Sequence, residues 1–245
     1  EEKSTACNML YCYATELGEG FFPYVEEVTK TLVPLLKFGY HEGVRNAATQ
    51  SLHPLLRAAY QRAMSTDHNM QFVVSLWNYM LPALLAALEE EDDREIECQM
   101  LYQLHECATL LGSQLLSPDH IRAICQAVQS SFKAFEERRE ARVEEVNDDA
   151  DIDAEQVEKV EEEVEREEEV LGEIAEVIGC LPKIFGPAFT PYALQLLAIP
   201  NALLQPTRRA HDRQIGLCII DDLVEFSQGT FNEHLIPYMQ PMIMA

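Results

Sequence analysis

Apolar residues recur at helical spacing along almost the whole chain, in blocks separated by short turn signals. The blocks run over 2–17, 21–38, 42–63, 68–90, 93–115, 118–146, 155–185, 190–205, 208–227 and 231–244, and each predicts one helix. Thr66-Asp67 and Ser117-Pro118-Asp119 read as helix starts, because a side-chain oxygen can accept an orphan N–H and proline suits the first turn. Gly18, Gly20, Gly112 and Gly229 fall where helices should end. Strand-like runs of Val, Ile, Thr and aromatics are scarce, so the fold class is all-α.

Short connections make consecutive helices antiparallel neighbours. Internal repeats then separate a bundle from a stacked array. One member of a pair reads Glu1-Glu2-Lys3-Ser4-Thr5-Ala6-Cys7 and returns 41 residues later as Glu42-Gly43-Val44-Arg45-Asn46-Ala47-Ala48. Acids at the start suit the positive end of the helix dipole, and paired small residues admit a close neighbour. The other member carries proline inside an apolar run, at Pro34, Pro82, Pro200 and Pro237. A proline costs about 3 kcal/mol in an ordinary helix interior, so its recurrence marks a tolerated bend. Periods of this length match HEAT and armadillo units of ~40–47 residues and exceed those of TPR or ankyrin units. The expectation is an α-α superhelix, a HEAT-repeat solenoid of about five helix pairs forming a single array over 1–245, because one pair cannot bury both its faces alone.

The composition fits that picture, with 47% hydrophobic residues and only 10 glycines. No apolar run stands out as approaching the ~20 residues a bilayer span needs, so no membrane is expected as a partner. The chain opens on Glu1-Glu2-Lys3 without a secretory pattern. It starts in mid-pattern, and no polar capping helix follows Leu235–Met239, which reads as a piece of a longer protein. The seven cysteines form no CxxC pair. Most lie among apolar helix residues, as Cys218 does beside Leu217, Ile219 and Ile220, and read as buried free thiols. A net charge of −24 disfavours nucleic acid and anionic membrane and is compatible with basic proteins.

The segment 136–169 holds eighteen acidic and five basic residues, a local net of −13. Asn147–Asp151 is the expected break within it, since Asn and Asp favour caps and turns. Beyond the break, Val157, Val160, Val164, Leu171, Ile174 and Ile178 keep a heptad spacing with one gap, at Glu167. A valine stripe facing the solenoid would leave a glutamate-rich outer face. Glu161, Glu162, Glu163, Glu167, Glu168 and Glu169 are the candidate partner-binding residues, as an electrostatic docking surface for basic proteins. A solvated face that only maintains solubility is the plainer alternative. Asp149, Asp151 and Asp153 lack the glycine and closing glutamate of a calcium loop.

Catalytic signatures are missing: there is no GxGxxG, GxxxxGK[ST], GxSxG or HExxH. No catalytic, cofactor-binding or metal residue is expected, and no cofactor. His105 and Cys107 lie two apart on a helix and point to different faces, which makes His105 a structural residue. Asp221 and Asp222 diverge by ~100° around their helix. Trp77, Tyr79 and Met80 read as a core aromatic cluster, with a pocket for a Phe-rich peptide as the alternative. Basic residues are too few for a nucleic-acid patch; Lys133 and Arg138, Arg139 and Arg142 are positioned to pair with neighbouring acids.

Several segments resemble one family. Glu1–Leu10, Val33-Pro34-Leu35-Leu36-Lys37-Phe38, Gly43-Val44-Arg45-Asn46-Ala47-Ala48 and Asp212–Asp222 are similar to karyopherin-β nuclear import receptors, in particular the importin-five (importin beta-three) branch. The resemblance runs from the first residue to about Phe226, with an acidic insertion where the family also has one, and suggests part of the C-terminal half of a longer receptor. It implies a flexible HEAT superhelix that carries basic cargo such as ribosomal proteins and histones through the nuclear pore. Ran-GTP and Phe-Gly nucleoporins would be partners of the full receptor, and cytoplasm and nucleus, including the pore, its location. A HEAT scaffold for assembling a complex, and an acidic chaperone for histones or ribosomal proteins, remain as alternatives.

Overall fold

The computed structural model describes residues 1–66, 68–148 and 154–234. It contains eleven α-helices and no strand among them: α1 (Glu2–Leu17), α2 (Phe22–Leu32), α3 (Glu42–Gln50), α4 (Leu52–Ser65), α5 (Gln71–Glu90), α6 (Arg94–Leu115), α7 (Pro118–Asp148), α8 (Ala154–Phe185), α9 (Thr190–Leu196), α10 (Ala198–Leu203) and α11 (Ala210–Phe226). Short 3₁₀ segments lie at Gly18–Phe21, Val33–Lys37 and Gly186–Phe189. The chain divides into two compact units, 1–120 and 121–245.

In the first unit α1 packs on α3 and α4, and α2 packs on α4. Next, α3 and α4 pack on α6, and α5 on α4 and α6. Successive first helices thus stack on one another while second helices line their flank, the arrangement that the 41-residue repeat predicts. The core is built from Leu32, Leu36, Leu52, Leu55, Leu56, Trp77, Met80, Leu84, Met100 and Leu101, all essentially sealed from solvent. Burying a large apolar side chain contributes about 1.5–3 kcal/mol, so these positions dominate the unit's cohesion. In the second unit α8 packs on α11, and α10 on α11.

Proline explains where the expected helices break. The block 42–63 is two helices, α3 and α4, meeting at Ser51. Pro54 has no N–H to offer the carbonyl of Gln50, so the ladder is interrupted there, while Ser51 Oγ donates to the carbonyl of Ala47 at 2.7 Å. Pro200 acts likewise on the block 190–205, which divides into α9 and α10 at Leu197. Pro34 lies where α2 tightens into the 3₁₀ segment Val33–Lys37. Pro82, by contrast, is held inside an unbroken α5. Pro34, Pro82 and Pro200 sit on second helices of pairs, but the bend expected of each is absent at Pro82. Pro237 and most of the block 231–244 lie outside the described residues.

Two other expectations are corrected. Thr66 ends α4 instead of starting a helix: its hydroxyl donates to the Arg62 carbonyl, and Asn69 Oδ1 accepts the Gln71 N–H at the start of α5. Asp67 lies outside the described residues. The second correction is α5, a 20-residue helix in which an 18-residue window has a mean hydropathy of 1.4, long and apolar enough to cross a membrane. Its Val73, Leu76, Trp77, Met80, Leu81, Leu84, Ala87 and Leu88 are buried within the first unit, which accounts for that apolar composition. Ser117 does start α7, accepting the His120 N–H at 3.2 Å while its own N–H donates to His120 Nδ1 at 3.2 Å. Gly18 and Gly112 take positive φ (50° and 62°), Gly18 as the cap of α1 and Gly112 as a kink three residues before the end of α6.

Candidate partner-binding surface

Both long helices of the second unit change character along their length. On α7, Ile121, Ile124, Cys125, Val128, Phe132 and Phe135 are buried at three- and four-residue steps. The apolar run then gives way to Glu136, Glu137, Arg138, Arg139, Glu140 and Arg142. On α8 the stripe that includes Val164, Leu171, Ile174 and Ile178 is apolar except at Glu167, which is 5% exposed. The gap in the heptad is therefore filled by a buried carboxylate. Arg138 grips it with both arms of its guanidinium, Nε to Oε1 at 2.6 Å and Nη2 to Oε2 at 2.9 Å. Arg142 Nη2 lies 3.6 Å from the same Oε1. A planar fork matched to a carboxylate is the geometry that lysine cannot supply.

The cluster extends to α11. Arg139 Nη1 donates to Asp212 Oδ2 at 2.5 Å. Asp212 stands in the first turn of α11, where the helix dipole also favours a negative charge. Arg208, just ahead of α11, forks Glu136 of α7, one arm at 2.9 Å. That hydrogen bonding holds the Arg208 guanidinium above its ordinary value, against the opposing effect of burial. Arg209 reaches Glu168 at 3.4 Å, and Arg142 approaches Glu163 at 3.7 Å.

The six candidate glutamates consequently fall into different settings. Glu167 is buried and not available to a partner, because Arg138 and Arg142 of α7 hold its carboxylate. Glu168 is half-covered by Arg209. Glu162, Glu163 and Glu169 are exposed. The side chain of Glu161, the expected break at Asn147–Asp151 and the Asp149, Asp151, Asp153 set lie wholly or largely outside the described residues. The gap at Glu167 and the expected pairing of Arg138, Arg139 and Arg142 with neighbouring acids were the sequence signals for the ionic cluster. Arg208 and Asp212 had none, lying more than seventy residues from their partners.

Other candidates resolve individually. Trp77 and Met80 are fully buried while Tyr79 is exposed, so the three form no common pocket. Cys7, Cys107, Cys125 and Cys180 are buried, and burial pushes the Cys125 thiol up to about 12. Cys218 is exposed: its neighbours Ile219 and Ile220 turn inward and it takes the outer face of α11. Asp222 pairs with Lys183 at 3.2 Å. Among the described residues no group of three His, Cys, Asp or Glu is arranged to hold a metal ion. An apolar cavity of ≈ 350 Å³ that periodicity did not reveal opens between α1 and α2, lined by Leu10, Tyr13, Leu17, Phe21, Tyr24 and Val28.

A family model described as Importin repeat 6 matches residues 96–206, the stretch that includes α7 and α8. Importin subunit beta-3 of Saccharomyces cerevisiae is 31% identical over 143 residues, covering 58% of this chain and 13% of that protein. The Probable importin-5 homolog of Dictyostelium discoideum is 24% identical over 231 residues, covering 92% of this chain and 21% of that protein. Kap121p crystallised with Nup53p matches 96% of the chain with a TM-score of 0.72 and 25% identity, over 20% of Kap121p. These matches support the resemblance to the karyopherin-β family that the sequence carries. Its fold is the all-α superhelix of HEAT repeats expected of that family. The chain spans about a fifth or less of the length of the curated relatives it matches. Kap121p has also been crystallised with RanGTP and with Pho4p.

Proposed function

We propose that this chain is part of a karyopherin-β nuclear import receptor, a transport protein and not an enzyme, moving between cytoplasm and nucleus through the pore. The observation that carries this reading is the likeness to Kap121p over 96% of the chain, Kap121p being a protein that takes RanGTP, Nup53p and Pho4p in crystals. Partners of the parent receptor would be Ran-GTP, nucleoporins and basic cargo, with histones and ribosomal proteins as the cargo class that an acidic surface suits. Capture of a histone by the full-length parent, released on adding Ran-GTP, is the expected result. A histone retained equally with and without Ran-GTP would point to an acidic chaperone instead.

Within the chain, the exposed carboxylates of α8 are the surface we assign to basic proteins. Exposed charges act over about 8 Å at physiological ionic strength, so they chiefly accelerate encounter and lose force as salt rises. Changing Glu161, Glu162, Glu163 and Glu169 to Gln should lower affinity for a histone several-fold at low salt, with little difference near physiological salt. Glu167 and Glu168 are kept, since Glu167 is buried against Arg138 and Glu168 is half-covered by Arg209. Identical binding by both proteins at both salts would reduce this face to a solubilising one.

A further inference from the structure

The α7–α8–α11 contact of the second unit is made in two different materials. Toward its C-terminal part α8, which packs on α11, is apolar and dry: Val170, Leu171, Ile174, Val177 and Ile178 have no measurable exposure. Toward the acidic end, from Glu136 on α7 and before Val170 on α8, it becomes a row of arginine–carboxylate pairs. These are Arg138 and Arg142 with Glu167, Arg139 with Asp212, Arg208 with Glu136 and Arg209 with Glu168. The carboxylates of Glu167 and Asp212 are buried, but the Arg138 and Arg139 side chains keep 27% and 26% of their exposure. Water and salt therefore reach one side of each pair.

We propose that this row is a releasable clasp, which sets how α7 and α8 sit on the start of α11 and opens with ionic strength while the apolar contact stays closed. Three physical points support it. Ion pairs of this kind are a weak source of net stability compared with apolar residues of the same volume, and their best-attested role is to fix register or act as a switch. Partly exposed pairs weaken with salt, whereas apolar burial does not. The segment 136–169 carries a net charge of −13, so once its arginine contacts are screened nothing electrostatic holds its glutamates against Asp212 and the other acids of the cluster. Local openings of this type occur without global unfolding.

Hydrogen exchange on the intact 245-residue chain tests the clasp directly. Raising salt from about 0.05 to about 0.5 M should accelerate amide exchange about threefold or more in 163–168 and 208–213 together, leaving 171–181 unchanged. Glu167→Gln should bring the low-salt exchange of 163–168 to the level that wild type reaches at high salt. The double change Arg138→Leu with Glu167→Leu should keep the helix content and make exchange in 163–168 less sensitive to salt. The wild-type salt comparison decides without any variant. Exchange insensitive to salt in 163–168 and 208–213, or acceleration shared equally by 171–181, would overturn the proposal.

Discussion

The two units carry similar charge but place it differently. Residues 1–120 hold seventeen acids and seven bases, and 121–245 hold twenty-five and eleven. In the second unit almost all of the excess lies in 136–169; the remaining residues have seven acids and six bases. The first unit spreads its charge around an apolar interior and uses ion pairs singly. Arg45 of α3 forks Glu91, at 2.8 and 2.9 Å, and donates to the Phe38 carbonyl at 3.2 Å, tying one pair to the turn that opens the next. The second unit joins its pairs into one cluster at the place where its apolar stripe gives out. An isolated pair braces a contact already made by packing. A row of them, where packing is thin, becomes the contact.

The comparison predicts that single truncations hurt most where packing dominates. Trp77→Ala, at the centre of the first unit, removes the largest buried side chain and leaves a cavity, so it should cost about 3–5 kcal/mol. Urea denaturation gives the value; a loss under about 1 kcal/mol would mean that packing does not dominate there. In the second unit α10 and α11 meet closely. A Cβ at Gly216 would stand 3.0 Å from Leu203 Cβ and 3.1 Å from Leu204 Cγ. Gly216→Ala should lose about 1–3 kcal/mol to overpacking, against an intrinsic helix preference of ~1 kcal/mol in its favour. A stabilised variant would show that α10 can retreat from α11.

The smallest expected effect is a pH dependence in the first unit. His120 Nδ1 accepts the Ser117 N–H, which places the proton on Nε2, 2.8 Å from Asn78 Oδ1. Burial lowers the His120 pKa, with Asp119 opposing, and burial lowers that of His53 too, with Glu106 opposing and Arg57 reinforcing. The unfolded chain then binds protons first, so this stability is complete above the ordinary histidine pKa and is lost as pH falls through it. The urea midpoint should drop between about pH 7.5 and about pH 5.5, and His120→Asn should flatten the drop. An unchanged slope in that variant would assign the effect to His53.

Helix content, the pairing of helices and the HEAT period were legible in the chain because they follow from local rules: 3.6-residue apolar spacing, capping and short loops. The likeness of Asp212–Asp222 and its companion segments to karyopherin-β receptors was a separate signal, one that spacing and capping do not carry. The acidic segment was legible as charge, and the interruption at Glu167 was legible as a flaw in a stripe. What that flaw meant was not. Sequence spacing assigns a glutamate to a face, but only the packed structure brings Arg138 within 2.6 Å of it and Arg208 onto Glu136 from seventy-two residues away. The breaks at Ser51 and Leu197 show the same division. Proline's missing N–H is written in the sequence, yet Pro82 lacks it too and α5 runs on. Local chemistry lists the weak points of a helix; the neighbours packed around each one decide whether it bends.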